Sequence, residues 1–263
     1  MQSLKKIQAF LVSALILYGF QVIGADTQFL DSLQNHFFVA ECCSTNLSSC
    51  AREKPHCAKA ADLLAFSSWL KELGRSTDEK IAEALLERYQ MYYSPDTFTI
   101  DTSGWTRSGE TGSKLLITEY FSASCPMCKY TYREIHNAVT TGVLKGKAYL
   151  MAKPLTTGIG DKALMAAQEM NSFPEFMLAL EEWGGRPDEM LITAIADSLG
   201  LDTTKFKSLL NDKALNRKLN ISSHEAKKNG VKVTPTFFIG NKRYSSYKDP
   251  KWVLKAVEVW NKK

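Results

Sequence analysis

The stretch LLITEYFSASCPMCK, residues 115–129, decides how the rest of the chain is read. Leu115 to Phe121 is an apolar run of strand length, interrupted by Thr118 and Glu119. It passes through Ser122-Ala123-Ser124 into Cys125-Pro126-Met127-Cys128, and a helical pattern continues to about Ala138. The expectation is a strand, a sharp turn and a helix. Two residues between cysteines make about one helical turn, so both sulfurs come within disulfide reach while the first stays at the open helix end. Unsatisfied N–H groups and the positive end of the helix dipole stabilise a thiolate there, below the ordinary thiol pKa of about 8.5. Cys125 is therefore expected to be the attacking sulfur, and Cys128, facing inward, the resolving one. Pro126 suits the first helical turn because it has no N–H to lose.

Other readings of the pair are weaker. A zinc half-site would need a second ligand pair, and none follows at the usual spacing. An inert disulfide in so short a loop would gain little from loop closure. His136, on the same helical pattern, reads as a surface or packing residue. Glu119 stands six positions before Cys125 in an apolar strand. Burial would raise its pKa and suit it to accept the proton of the inner thiol, whereas strict alternation would turn it to solvent. Thr234-Pro235 opens the strand Thr236 to Ile239, a frequent place for a fixed turn or a cis bond.

Outward from this centre, a second strand is expected at Ala148 to Ala152, followed by Lys153-Pro154. Helical patterning then runs from Asp161 to Lys228, broken at Ser172-Phe173-Pro174, Gly184-Gly185-Arg186-Pro187, Gly200-Leu201-Asp202 and Asn229-Gly230. After Thr236 to Ile239 come a turn at Gly240-Asn241, a strand at Lys242 to Tyr244 and a helix from Asp249-Pro250, with Trp252, Val253, Ala256, Val257 and Trp260 on its apolar side. The order is βα, β, a helical insertion, ββα, which is an α/β fold. Residues 95–113, rich in Ser, Thr, Gly and Asp, read as a linker with a short strand at Thr97 to Ile100. Residues 26–94 read as a small α-helical, cysteine-rich domain. One helix is expected from Lys59 to Leu73 with Gly74 as its stop, and another from Ser76, where Ser76 and Glu79 fit a capping box.

Residues 1–25 have the layout of a secretory signal peptide: Lys5 and Lys6, an apolar run from Ile7 to Ile23, then Gly24-Ala25. The alternative is an uncleaved amino-terminal anchor, although the uninterrupted part, Ala9 to Phe20, falls short of the roughly 20 residues that span a bilayer. All six cysteines follow this segment, which places them where disulfides persist. Cys42, Cys43, Cys50 and Cys57 read as two structural disulfides of unknown pairing. A second redox relay or a thiolate metal site is the other reading, because Cys43, Cys50 and Cys57 recur at seven-residue steps; Pro55 speaks against one continuous helix.

The chain has 263 residues, 44% hydrophobic and 23% charged, with a formal charge of +5. That balance excludes disordered and collagen-like classes. No block of like charge marks nucleic-acid binding, and no P-loop, Gly-x-Ser-x-Gly or His-Glu-x-x-His motif is present.

From about Lys114 onward, the chain resembles the DsbA-like branch of the thioredoxin superfamily. The matching pieces are LLITEYFSASCPMCK, IADSLGLDTTKFKSLL and AKKNGVKVTPTFFIGNK, in the family's order. The resemblance implies a thioredoxin-like fold with a helical insertion, a redox-active disulfide with no organic cofactor or metal, and a periplasmic setting. Carried over by position, it makes Cys125 the nucleophile, Cys128 the resolving cysteine, Glu119 the buried carboxylate and Pro235 the cis-proline. Thr234 would offer backbone hydrogen bonds to substrate. It also implies cysteine-containing protein substrates and a membrane redox partner. Pro126-Met127 departs from the Pro-His of the best-known oxidants, which removes one stabiliser of the thiolate and leaves oxidase, isomerase and reductase open. LLAFSSWLKELGRSTDEKIAEALLERYQMYYSP looks like the helical hairpin of the cytochrome c maturation protein CcmH, which would suit a reductase serving that process or disulfide repair. The rivals from other classes are a chaperone or binding module that self-associates through its amino-terminal domain, and a metal handler using Cys42, Cys43, Cys50 and Cys57.

Overall fold

The computed structural model describes residues 45–244, apart from 55, 75 and 76, and residues 249–260. The expected signal peptide, Cys42, Cys43 and the Ser76 cap lie outside the described residues. The chain divides into two compact units, residues 1–57 and 58–263. In the first, helix α1 (Leu47–Glu53) is capped by Asn46, whose side chain accepts the Ser49 N–H at 2.9 Å. Cys50 and Cys57 are each disulfide-bonded, so neither offers a thiolate to a metal. The helix ends at Glu53, before Cys57, so Cys50 and Cys57 do not share a helix face.

The second unit contains helices α2 (Ala58–Glu72) and α3 (Asp78–Tyr93) and a five-stranded sheet. Its strands are β1 (Arg107–Ser108), β2 (Leu115–Phe121), β3 (Ala148–Pro154), β4 (Thr236–Ile239) and β5 (Lys242–Tyr244), in the order β1-β3-β2-β4-β5. β2 runs parallel to β3 and antiparallel to β4, and it is buried on both faces from Ile117 to Phe121. A strand covered on both sides reads as a continuous apolar run rather than an alternating one. This is why alternation misplaces Glu119, which pairs with Ala152 on one side and Phe237 on the other and is 0% exposed.

Helix α4 (Pro126–Thr140) links the parallel pair. The insertion is five helices: α5 (Ile159–Glu169), α6 (Phe173–Glu182), α7 (Glu189–Ser198), α8 (Thr203–Leu210) and α9 (Lys213–Lys228). Asp188, Asp202 and Asp212 cap three of them with their carboxylates. The break at Asp212 was not expected; it lies in a polar stretch with neither Gly nor Pro. Helix α10 (Pro250–Trp260) closes the fold.

Two expectations need correction. Thr97 to Ile100 forms no strand: Phe98 donates one backbone bond to Asn241 at 2.9 Å and packs edge-on against Phe238, and the edge strand is Arg107–Ser108 instead. The hairpin α2–α3 also does not group with the cysteine-rich segment; it belongs to the second unit. Arg88 of α3 is 0% exposed, grips Asp62 of α2 through two bonds of 2.7 Å, and donates to Tyr244 Oη at 3.0 Å and the Trp252 carbonyl at 3.2 Å. That one guanidinium ties the hairpin to β5 and α10. Thr77 holds the N-cap position of α3, and its side chain makes no capping hydrogen bond.

Candidate active site

Cys125 is the N-cap of α4 and takes extended backbone angles there. Its Sγ accepts the Cys128 N–H at 3.2 Å, one of the helix-end donors that would otherwise lack a partner. The same sulfur donates to the Thr234 carbonyl at 3.9 Å, and the Thr234–Pro235 peptide bond is cis. The strand-helix junction and the loop before β4 therefore meet at one sulfur. Cys125 and Cys128 are both thiols; Cys125 is half-buried and Cys128 fully buried. The Cys125 contact, burial and the nearby Glu119 carboxylate all push the Cys128 thiol up from its ordinary value. Pro126 and Met127 lie exposed at the helix mouth.

Glu119 sits inside the sheet, and burial holds its carboxyl well above the usual carboxylate range. The Thr131 hydroxyl, 2.9 Å from Oε1, opposes that shift. Thus Cys125, Cys128, Glu119, Thr234 and Pro235 belong to one neighbourhood. His136 is a packing residue, bonded to Ser108 Oγ at 2.9 Å and stacked on Tyr132.

Three residues of the neighbourhood are not singled out by the sequence. Asp161 accepts the Ala123 N–H at 2.8 Å, the Gly158 N–H at 3.0 Å and the Thr156 hydroxyl, pinning the loop before Cys125 to the start of α5. Gly160 permits that approach, since a Cβ there would meet the Ala123 Cβ at 2.8 Å. The spacing Gly158-x-x-Asp161 is the signal that could have found it, because an acid three residues into a helix can accept the N-cap N–H. Lys129, beside Cys128, is buried and donates to the carbonyls of Leu180 and Gly185 at 3.0 and 3.4 Å, which docks α4 on the end of α6. Thr131 carries no distinguishing signal, because a mid-helix threonine bonding back to the carbonyl four residues earlier is common.

A helix-capping thiol above a buried second thiol and a buried carboxyl can form, exchange and resolve a disulfide. No group of three or more metal-ligating side chains is found among the described residues. Residues 102–259 match the protein family described as Thioredoxin. The chain is similar in structure to a thioredoxin-like oxidoreductase from Silicibacter pomeroyi, at 21% identity and a TM-score of 0.54, covering 61% of this chain and 94% of the other. It is similar to BdbD from Bacillus subtilis, at 18% identity and a TM-score of 0.53, over 64% and 98% of the two chains. It is also similar to the thiol-disulfide exchange protein alpha-DsbA2 from Wolbachia pipientis, at 21% identity and 0.51, over 60% and 87%. A search of curated proteins found no match. The family match begins at residue 102, so the likeness of the hairpin to CcmH gains no support.

Proposed function

The chain belongs to the thioredoxin family, and from that premise we propose that it is a thiol:disulfide oxidoreductase working in the periplasm as a disulfide oxidase or isomerase on cysteine-containing proteins. The observation that carries this reading is the placement of Cys125 Sγ, reachable from solvent yet held between the Cys128 N–H and the Thr234 carbonyl.

In the reducing direction, the Cys125 thiolate attacks one sulfur of a client disulfide, and the other client sulfur leaves as a thiolate. Cys128 then gives its proton to the Glu119 carboxylate and attacks Cys125 Sγ. The mixed disulfide breaks, the client leaves with both sulfurs reduced, and the pair is left oxidised. Oxidation of a client runs the same steps backwards, with Glu119 returning the proton as Cys128 departs. The Cys125–Cys128 disulfide carries the two electrons, so the cycle requires no organic cofactor or metal. A membrane redox partner would reset the pair. The Thr234 carbonyl, beside Cys125, would also accept a backbone N–H from an extended client segment.

One observation favours the reductase direction: Met127, 46% exposed, supplies no hydrogen-bond donor to the Cys125 sulfur. A pair with fewer donors to its thiolate is less oxidising.

The test is trapping. Cys128→Ser should accumulate a client joined through Cys125 and released by dithiothreitol, and Cys125→Ser should accumulate none. If neither variant traps a client while Cys125→Ser still prevents client aggregation, the chaperone reading takes its place.

A further inference from the structure

The two oxygens of Glu119 have different surroundings. Oε1 lies 2.9 Å from Thr131 Oγ1, whereas Oε2 has no hydrogen-bond partner among the described residues. Thr131 is itself 0% exposed, and its Oγ1 also lies 2.9 Å from the Met127 carbonyl and 3.1 Å from that of Cys128. A hydroxyl has one proton and two lone pairs, so Thr131 cannot donate to all three oxygens at once. With Glu119 ionised, the hydroxyl donates to Oε1. With Glu119 protonated, the carboxyl donates to Oγ1 and the hydroxyl proton turns to the Met127 carbonyl, inside the Cys-x-x-Cys turn. Both states keep a satisfied Thr131, and only the direction of donation changes.

We propose that Thr131 is a positioning residue that follows the protonation of Glu119, holding its carboxyl in place as it exchanges a proton with the Cys128 thiol during resolution. This rests on the thiol-exchange reading. The step balances: the Cys128 S–H proton passes to Glu119, the Cys128 thiolate forms the bond to Cys125 Sγ, and the client thiolate takes the electron pair of the broken S–S bond.

The titratable groups that face Glu119 are few. Cys125, Cys128 and Tyr132 lie at the head of α4. The strand neighbours Ala152 and Phe237 are neutral, as is Phe173 of α6, which packs edge-on against both Phe121 and Tyr132. Glu225 accepts from both Lys153 and the hydroxyl of Tyr120, the residue after Glu119, whose side chain leaves the opposite face of the strand.

The experiment is single-turnover resolution of a mixed disulfide formed with a cystine-containing peptide, followed against pH on the full chain. Thr131→Val removes the donor to ionised Glu119, so the midpoint of the profile should move up by about one pH unit, a roughly tenfold slower resolution on its acidic side. Thr131→Ser should restore the wild-type profile, and Thr131→Ala should repeat the valine result should the valine variant fold poorly. In a Glu119→Gln background, Thr131→Val should leave the profile unmoved. Coincident profiles for wild type and Thr131→Val, or a shift that persists without Glu119, would overturn the inference while leaving thiol exchange intact. A wild-type protein that forms no mixed disulfide would overturn the functional reading, and this inference with it.

Discussion

The larger unit buries the acids Asp62 and Glu119 and treats them in opposite ways. Around Arg88 every charge is answered: Asp62 receives two bonds of 2.7 Å from the guanidinium and one of 2.8 Å from Tyr92 Oη, and the guanidinium carbon stands 4.7 Å over the Phe66 ring. Around Glu119 a single hydroxyl serves one oxygen and nothing among the described residues serves the other. Both acids are 0–1% exposed, so burial alone does not distinguish them. Completeness of the hydrogen bonding does. A fully partnered buried ion pair locks elements together, whereas an under-served buried carboxyl has its affinity for a proton raised, which suits it to exchange one.

Breaking the Arg88 site should have the largest effect on stability. Arg88→Leu leaves Asp62 buried without its cation and should destabilise the unit by about 3–5 kcal/mol. Disulfide exchange per folded molecule should be unchanged; denaturant titration beside an exchange assay checks both. Asp161→Ala comes next, since it strands the Ala123 and Gly158 N–H groups at about 1–3 kcal/mol. Because that loop leads into Cys125, it should also slow exchange, which the Arg88 variant should not.

The smallest effect on stability has the opposite sign. The Glu119 carboxyl has a raised pKa when folded, so its contribution to stability is fully present below the ordinary carboxylate value of about 4.3 and is lost as pH rises through the raised folded value. Glu119→Gln, which never ionises, should therefore match wild type in Tm under acid conditions and exceed it increasingly towards neutral pH. A neutral-pH Tm below that of wild type would mean that Glu119 is structural in the manner of Asp62.

The comparison also explains what was legible in the sequence. The strand, turn and helix at residues 115–140, the order of strands and the position of Cys125 rest on local patterning, and that patterning survives folding. The hairpin was misassigned because its placement depends on Arg88, Asp62, Tyr244 and Trp252, which lie far apart in sequence. A lone arginine in an amphipathic helix gives no sign that it will be buried. Thr131 gives no sign for the same reason: its partner Glu119 is supplied by another element, and Asp161's local spacing to Gly158 says nothing of its bond to Ala123. Glu119 was found because an acid in an otherwise apolar strand is anomalous within its own segment.

Thiol exchange at this site requires Cys125 and Cys128 to form a reversible two-electron couple. It is tested most directly by equilibrating the full chain with glutathione and following the thiols of each cysteine by mass spectrometry. Cys125 and Cys128 should titrate together as one couple, at a potential between about −270 and −120 mV, the range of thioredoxin-fold reductases and oxidants. Cys50 should remain oxidised throughout. A pair that stays reduced across that range, while Cys50 and Cys57 exchange in its place, would contradict it.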